Sequence, residues 1–464
     1  MVPVLRDYQN AIIEQDRLLM RQGIRSIINV SPTGSGKTLL TAYMLKSAYK
    51  KNKRAWFIVH RRELIKQSIR AFSQVELPHG VVSSGFMEAK KLPIQIASIQ
   101  TLVKRYERYP SPHLIVFDEC HHVAAGSWDK IYRAFPHAFF IGLTATPERL
   151  DGTGLGKYFQ RMVKGPSVSW LIENGFLSPY KLFAPPSLNL SGVHTRMGDY
   201  VQSELMDIID RPTITGDAIK QYLKHAPGKR AVVFCVSVAH SKHVVEQFNK
   251  SGIPAVHIDG ETDNDERDKS IRRFENGEIK ILSNVELFGE GFDLPSLEVV
   301  ILLRPTQSLG LYLQQVGRSL RPSPGKGHAI ILDHAGNCER HGLPDEDRQW
   351  ELSDYSPIQG RRDGDNLSVK VCPKCFAAQF SGKPVCIYCG FTFPIKGREI
   401  EQKEGELVEV DAEVLRKKRR QAQGRLNTLE ELIAEGKRRG YVRPHLWAKH
   451  VFNARQQKRL EGAR

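Results

Sequence analysis

Short apolar, β-branched runs alternate with longer charged stretches from Ile27 to about Asp333. Near-continuous apolar runs are typical of strands that are buried on both faces of a parallel sheet, and the stretches between them are long enough for crossover helices. The pattern predicts two successive α/β units. The runs are SIINVS, AWFIVH, IQIASI, LIVFDE and FFIGLTA in the first half, and AVVFCVS, AVHIDG, IKILSN, EVVILLR and AIILDHA in the second.

The alternation is interrupted once and then stops. Residues 165–212 carry scattered prolines and glycines with little strand periodicity, which predicts a connector or small insertion. After His334 the rhythm ends, and helical periodicity resumes only in LNTLEELIAEGKRRG near the carboxyl end. We therefore predict a first α/β domain over 1–164, the connector over 165–212, a second α/β domain over 213–345, a linker over 346–370, a cysteine-rich element over 371–392 and a charged helical region over 393–464.

Composition narrows the class of protein. A chain of 464 residues is too long for one ordinary core, and a hydrophobic fraction of 41% is that of a soluble globular protein. No long uncharged apolar run occurs and the first residues lack a basic and then apolar leader, so we expect no membrane span and no secretion. The net charge of +17 favours a nucleic-acid partner, although basic proteins are common and charge alone names no ligand.

The segment SPTGSGKT, residues 31–38, follows an apolar run and precedes a helical stretch. Its glycines allow a tight turn whose amides point at phosphates, while Lys37 can reach the β and γ oxygens and Thr38 can supply a magnesium ligand. Ser31 stands where the general phosphate-loop pattern has glycine. We assign the phosphates of a nucleotide to Thr33, Gly34, Ser35, Gly36, Lys37 and Thr38.

The segment FDECHH, residues 117–122, allows two interpretations. Cys120, His121 and His122 could bind a soft metal, but neighbouring residues at a strand end point in opposite directions and rarely share one tetrahedral ion. The preceding apolar run places Asp118 at the carboxyl end of a strand, where ligands gather in α/β sheets. We therefore assign magnesium to Asp118 and the orientation and deprotonation of an attacking water to Glu119.

The segment CPKCFAAQFSGKPVCIYCG, residues 372–390, holds two Cys-x-x-Cys pairs. Two such knuckles can close a tetrahedral site of four thiolates, and clustering of four of the seven cysteines suits a reducing compartment better than a disulfide framework. A redox or iron role is the alternative to structural zinc. The predicted Zn²⁺ ligands are Cys372, Cys375, Cys386 and Cys389.

The sequence around Asp118 resembles motif II of DEAD/DECH-box-like superfamily 2 helicases, and further motifs match in order. They are LRDYQ (5–9, adenine reading), VHRRELIKQ (59–67, Ia), SIQTL (98–102, Ic), LTATPERLDG (143–152, III), VVFCVS (232–237, IV), SNVELFGEGFD (283–293, V) and QQVGRSLR (314–321, VI). Arg-Asp-Tyr-Gln near the start of the chain resembles the type III restriction subunit-like group and its bacterial and phage RadD-like helicases most, and so do TPERLDG, ILDHAGN and EDRQW. The resemblance implies two tandem RecA-like domains.

The resemblance also implies site residues around ATP. Gln9 reads the adenine together with Arg6, and motif V brings Gly291 and Asp293 towards the ribose and the cleft. Arg321 is the arginine that stabilises the transferred phosphoryl group, with Arg318 as its partner near the γ-phosphate. The alternative is that both arginines merely cover a helix face.

Further residues are implied to couple ATP to the nucleic acid. Motif III contributes Thr144 and Thr146, and His121 links motif II to motif VI, through Gln314 in our prediction. Sequence-independent phosphate contacts are expected from Arg61, Arg62 and Thr101.

We therefore predict an ATP-dependent DNA helicase or translocase acting in repair, recombination or phage replication, with ATP, Mg²⁺ and structural Zn²⁺. Its partner would be single-stranded, duplex or branched DNA, and a replication or repair protein could recruit it. Its location would be the bacterial cytoplasm, at the nucleoid, whether bacterium or phage encodes it. An RNA helicase, and an ATPase that binds or remodels nucleic acid without unwinding it, are the alternatives. The zinc element could grip nucleic acid with the basic tail, cap the second domain or bind a protein.

Overall fold

The fold comes from a computed structural model. It forms two compact units, Met1–Phe393 and Pro394–Arg464. The residues described are 2–123, 126–147, 154–184, 195–196, 199–200, 212–285, 297–348, 350–352, 369–380, 383–393, 428–438, 448 and 451–452.

A seven-stranded, wholly parallel sheet organises the first α/β domain, in the order β3-β4-β2-β5-β6-β1-β7. Central strands are buried along their whole length, as their apolar runs predicted. The strands are β1 (Ser26–Val30), β2 (Ala55–Val59), β3 (Gly80–Val82), β4 (Ile94–Ser98), β5 (Leu114–Asp118), β6 (Phe139–Thr144) and β7 (Arg161–Lys164). The helices are α1 (Asp7–Arg21), α2 (Lys37–Lys50), α3 (Arg62–Gln74), α4 (Ile99–Leu102) and α5 (Gly126–Ala134).

The described part of the stretch 165–212, predicted to be a connector or small insertion, includes one helix and three short strands. They are α6 (Val168–Glu173), β8 (Tyr180–Phe183), and the antiparallel pair β9 (Thr195–Arg196) and β10 (Asp199–Tyr200). Strand β8 pairs in parallel with a strand of the second sheet. A four-residue edge strand of mixed polarity leaves no apolar run for the sequence to reveal.

The second α/β domain has a six-stranded parallel sheet in the order β12-β13-β11-β14-β15-β8. Its strands beyond β8 are β11 (Ala231–Phe234), β12 (Ala255–Ile258), β13 (Ile281–Asn284), β14 (Val299–Leu302) and β15 (Ala329–Asp333). Its helices are α7 (Pro212–His225), α8 (Val238–Lys250), α9 (Asn264–Glu275), α10 (Leu309–Ser319) and α11 (Asn337–His341). All ten strands predicted from apolar runs are thus present, and the prediction of two RecA-like domains is confirmed.

The two sheets bury apolar side chains on both faces, which gives each domain two core clusters. One buried polar pair lies within the first core, where the Asn29 amide donates to Asp16 Oδ2 at 2.8 Å. Asp16 Oδ1 and Asn29 Oδ1 accept no hydrogen bond from the described residues. Trp350 and Leu352, from the predicted linker, pack on the core of the first domain rather than the second.

The cysteine-rich element contains an antiparallel pair, β16 (Val369–Val371) and β17 (Ala378–Phe380). In the second unit, α12 (Leu429–Arg438) begins at a capping box, where the Glu431 amide donates to Thr428 Oγ1 and the Thr428 amide to Glu431 Oε2. This helix confirms the helical periodicity seen near the carboxyl end. Within the described part of the chain, no helix is long and apolar enough to cross a membrane.

Candidate nucleotide and metal sites

The predicted phosphate loop lies between β1 and α2. Gly34 and Gly36 have φ values of +89° and +84°, in the left-handed region that glycine adopts without strain. A side chain at either glycine would also collide, because an added Cβ would lie 2.8 Å from Leu177 and 2.6 Å from Gln9, respectively. Inside the loop, Lys37 Nζ donates to the Ser31 carbonyl at 3.0 Å. The backbone therefore has the tight form that the spacing of the glycines predicted.

Gln9 lies against this loop. Its side-chain amide donates to the Ser35 and Gly36 carbonyls at 3.2 and 3.3 Å, and Gln9 Oε1 accepts from the Arg6 amide at 3.0 Å. Tyr8, which the sequence reasoning did not single out, donates its hydroxyl to the Ser35 carbonyl at 2.6 Å. The start of α1 is thus fastened to the phosphate loop.

Aromatic residues from the stretch 165–212 complete this corner. The Arg6 guanidinium lies 4.5 Å from the centre of the Phe176 ring, and Phe176 and Trp170 both contact the ring of Tyr8. No sequence signal marks Phe176 and Trp170 as partners of Arg6 and Tyr8, because they are distant in the chain and occur in a region without a motif.

Asp118 and Glu119 are buried beside Lys37. Asp118 ends β5, as predicted, and Glu119 follows in a left-handed conformation with φ of +47°. Burial and the neighbouring Glu119 carboxylate raise the pKa of Asp118, and Lys37 opposes that shift. Burial likewise lowers the pKa of Lys37, against the pull of the two carboxylates. These opposed charges share one small, poorly solvated space.

The remaining residues of FDECHH are also placed. Cys120 is fully buried, and burial raises its pKa well above the usual range, as suits a packed thiol rather than a metal ligand. His121 Nδ1 lies 3.5 Å from Glu119 Oε2 and 3.4 Å from Thr144 Oγ1. The rings of His121 and His122 are in contact, with centroids 4.2 Å apart.

The arginines of QQVGRSLR reach the same space from the second domain. Arg318 is buried within α10, and both Arg318 and Arg321 are near enough to lower the pKa of Lys37 further. Burial lowers the pKa of Arg321 to about 10, so its guanidinium stays charged at neutral pH. Helix α10 packs directly on the loop, since a Cβ at Gly317 would lie 2.6 Å from Thr33 Cβ. The pattern-based alternative, arginines on a solvated helix face, does not fit this burial.

A polar chain joins the acidic pair to α10. Thr144 Oγ1, next to His121, donates to the Thr146 carbonyl at 2.8 Å and accepts from the Thr146 amide at 3.1 Å. Thr146 Oγ1 in turn abuts the first turn of α10, 2.9 Å from where a Cβ at Gly310 would lie. This contact was not foreseen. Gln314 is buried in the same helix.

The predicted nucleic-acid contacts lie on neighbouring loops. Arg61 precedes α3 and exposed Arg62 begins it, after β2, while Thr101 lies in α4, after the adjacent β4. The side-chain amide of Gln100 donates to the His60 carbonyl at 2.9 Å and ties the two loops together. The two other predicted positions, Gly291 and Asp293, lie outside the described residues.

The four cysteines converge. Their sulfur atoms all lie within 4.8 Å of one another, with 3.6 Å between Cys372 and Cys389 and between Cys375 and Cys386. Tetrahedral zinc with Zn–S bonds of about 2.3 Å separates its sulfurs by about 3.8 Å, so this set fits the ion. The thiolates would hold Zn²⁺, whose contribution would be structural.

The cysteine-rich element docks on the open edge of the second sheet. Phe183 of β8 forms an antiparallel bridge with Ala377, and the Ala184 amide donates to the Phe376 carbonyl at 3.0 Å. Ala378 is 4% exposed and belongs to the core of the second domain. Of the roles left open by the sequence, capping the second domain is the one that these contacts support.

Comparisons with known proteins agree with this geometry. Residues 3–149 match the family model described as type III restriction enzyme, res subunit, and residues 215–323 match the helicase conserved C-terminal domain. A 51.5 kDa protein of a Lactococcus phage is 37% identical over 84% of this chain and 82% of its own length. The chain belongs to the superfamily 2 helicases. Membership identifies an enzyme of an ATP-hydrolysing, nucleic-acid-binding family, and Asp118 and Thr38 carry oxygen atoms of the kind that would hold Mg²⁺.

Other similarities are more partial. A Saccharomyces cerevisiae protein, named as a candidate ATP-dependent helicase, IRC3, is 31% identical over 72% of this helicase but only 52% of its own length. A fragment named as a candidate HsdR subunit of a type I restriction enzyme from Vibrio vulnificus has a TM-score of 0.58 at 22% identity, covering 76% of this chain and 68% of that one. The DNA-bound Type ISP restriction-modification enzyme LlaBIII gives 0.54 at 17% identity, over 71% and 28%. At these identities the solved structures support the fold.

Proposed function

We propose that the helicase uses ATP hydrolysis to move along or unwind DNA. The observation that carries this is the meeting of Lys37 with two carboxylates of its own domain and two arginines of the other domain. Such a space places positive charge where the γ-phosphoryl group becomes more negative during transfer. It is complete only while the two domains are together, so turnover and domain motion would be linked.

We assign roles to the residues of this space as follows. Lys37 and the loop amides hold the phosphates, and Gln9 with Arg6 recognises the adenine. Glu119 orients and deprotonates water, for which its buried Oε2 is suited because it accepts no hydrogen bond from the described residues. Mg²⁺, when bound, would neutralise phosphate charge. Arg321 and Arg318 stabilise the transferring group from the second domain.

The coupling route proposed from this geometry runs through His121, Thr144 and Thr146 to the first turn of α10. We prefer this route to the direct link from His121 to Gln314 because His121 Nδ1 lies 3.5 Å from Glu119 Oε2 and 3.4 Å from Thr144 Oγ1. Motion at the acidic pair would then reach the arginines through one helix.

DNA is proposed as the track for two reasons. The chain carries a net charge of +17, and the family model that it matches is that of a DNA restriction subunit. Arg61, Arg62 and Thr101, on two joined loops, would contact phosphates without reading bases. The zinc element and the domain limits given above remain part of this proposal, with repair, recombination or phage replication as the setting.

The test compares ATP turnover with single-stranded DNA, duplex DNA and RNA, alongside displacement of a labelled strand from a tailed duplex. We expect DNA to stimulate turnover and a Lys37→Ala variant to lose turnover while it still binds DNA at low salt. Stimulation by RNA alone would refute the DNA assignment. Stimulated turnover without strand displacement would support translocation or remodelling, and wild-type turnover in the variant would refute the phosphate loop.

A further inference from the structure

The first turn of α10 is held by a carboxylate from outside the second sheet. Asp199, in β10, accepts hydrogen bonds from the Gln307 amide at 2.7 Å and the Thr306 hydroxyl at 2.9 Å. Arg304 Nη2 lies 3.4 Å from the same carboxylate. These three donors belong to the loop between β14 and α10, so Asp199 fastens β10 to the loop that leads into the helix bearing Arg318.

The loop is held from its other side by α11. Asn337 Oδ1 accepts from the Thr306 amide at 3.0 Å, and the Asn337 side-chain amide donates to the Arg304 carbonyl at 3.0 Å. His341 Nε2 lies 2.7 Å from the Thr306 carbonyl. Thr306 is fully buried between these groups and Asp199. The contacts of α11 come from within the domain, whereas Asp199 comes from a segment without any helicase motif.

The same loop also determines where the first turn of α10 lies. The Thr306 hydroxyl accepts from the Ser308 amide at 2.9 Å, and Ser308 Oγ caps α10 by accepting from the Leu311 amide at 3.1 Å. Two residues later Gly310 meets Thr146. An 11-residue helix is a rod of about 16 Å, so a shift at its start moves its far end.

The far end of α10 carries the arginines. Gly317 lies on Thr33, and Arg321 Cγ is 3.4 Å from where a Cβ at Gly34 would lie. Because the packing is this close, even a small displacement at the start of α10 would change where Arg318 and Arg321 lie against the phosphate loop.

We propose that Asp199 is a positioning residue for ATP hydrolysis, which holds the start of α10 so that Arg318 and Arg321 face the phosphates. This rests on the proposed function. Asp199 itself does not touch the nucleotide site. Its carboxylate acts through Thr306 and Gln307 and sets the register of α10 against Thr146 on one end and the phosphate loop on the other.

The test uses isosteric variants. Asp199→Asn keeps the shape of the side chain but removes its charge and replaces one acceptor oxygen by an NH2 donor. Thr306→Val removes the hydroxyl that donates to Asp199. Asp129→Asn is the matched control, because Asp129 is a similarly shielded carboxylate, 23% exposed against 17%, that is bonded to Arg133 and Tyr158 on the first domain. Turnover number, KM for ATP and the thermal unfolding midpoint are measured for each variant with DNA present.

We expect Asp199→Asn and Thr306→Val each to lower kcat about tenfold, since small displacements of catalytic groups have effects of this order or larger. KM for ATP should change less than about twofold, because Lys37 and Gln9 are untouched, and both variants should remain folded at the assay temperature. The double variant should lose less than the product of the two single losses, because both variants remove the contact between Asp199 and the Thr306 hydroxyl. The control should behave like wild type.

Three results would overturn the inference. They are a wild-type kcat in Asp199→Asn, a loss of kcat that only follows the unfolded fraction, and additive losses in the double variant. A wild-type protein without nucleic-acid-stimulated turnover would instead refute the proposed function, so the two failures are distinguishable.

Discussion

Among the described residues, ion pairs of two different strengths join the two α/β domains. Arg267 of α9 donates to Glu63 of α3 at 2.9 Å, and Lys66 lies 2.9 Å from Asp268. Glu63 and Lys66 are about one helical turn apart on α3, and Arg267 and Asp268 are neighbours on α9. The two ion pairs therefore lie in the same contact between the domains but differ in how far solvent reaches them.

Their exposure decides the expected magnitudes. The side chains of Arg267 and Glu63 are 10% and 27% exposed, and Arg267 also donates to three backbone carbonyls of the preceding loop at 3.0 to 3.4 Å. A charged hydrogen bond in such a site contributes about 1.5–3 kcal/mol. The side chains of Lys66 and Asp268 are 41% and 44% exposed, and a pair of this kind contributes about 0.2–1 kcal/mol.

If ATP is hydrolysed while the two domains are in contact, the energies of these ion pairs should affect kcat/KM for ATP. Glu63→Gln should lower kcat/KM for ATP about tenfold, equivalent to about 1.4 kcal/mol, and Asp268→Asn should lower it less than about threefold. Turnover is measured with and without DNA, since Glu63 adjoins Arg61 and Arg62. Raising ionic strength from about 0.05 M to about 0.5 M should remove the Asp268→Asn effect and leave most of the other.

The order of the two losses in kcat/KM tests the reasoning. Equal losses in the two variants, or a larger loss in Asp268→Asn, would show that shielding of Arg267 does not govern closure. A Glu63→Gln effect that appears only with DNA present would assign Glu63 to the nucleic-acid track instead.

Three further changes have defined outcomes. Glu119→Gln should leave ATP binding intact and remove hydrolysis, as measured by equilibrium binding beside turnover; undiminished hydrolysis would exclude the base role. Changing Cys372 and Cys375 to Ser should abolish binding of one zinc per chain, as counted by metal analysis, and lower the unfolding midpoint because the cap on β8 is lost; a zinc-free wild type would contradict it. Burial raises the pKa of Asp16 from 3.8 to about 7, so its neutral form stabilises the fold below about pH 4 and that stability is lost as pH rises to 7. Asp16→Asn, whose amide can pair with Asn29, should therefore raise the unfolding midpoint at pH 8 by more than at pH 5, and equal shifts at both would refute the assignment.

Sequence patterns predicted the parts of the fold that bury continuous apolar runs. The ten strands they indicated are all present, whereas β3, β7 and β8 of the two large sheets were missed. Each of these three is an edge strand of three or four residues with at least one exposed or half-buried side chain. Such strands form because a neighbouring strand has unpaired backbone N–H and C=O groups. Their own residues carry no pattern that reveals this pairing.

The candidate site divides in a similar way. Lys37, Asp118 and Glu119 could be found because each follows a strand that the pattern reveals, and parallel strands deliver their carboxyl ends to one edge. The packing of Phe176 on Arg6, and of Thr146 on Gly310, depends on how separate elements dock. Neither contact has a periodicity or spacing that a sequence could display.

The segment between the two domains deserves a different role from the one its composition suggested. Phe176 lies on Arg6 beside the phosphate loop, and Leu177 lies on Gly34 within it. A few residues later β8 accepts the cysteine-rich element, and Asp199 holds the start of α10. This segment thus contacts Arg6, the phosphate loop, the cysteine-rich element and the loop that leads into α10. Because these contacts lie on both α/β domains, we expect movement of one domain against the other to strain or carry this segment, and we propose that it acts as a structural link in coupling.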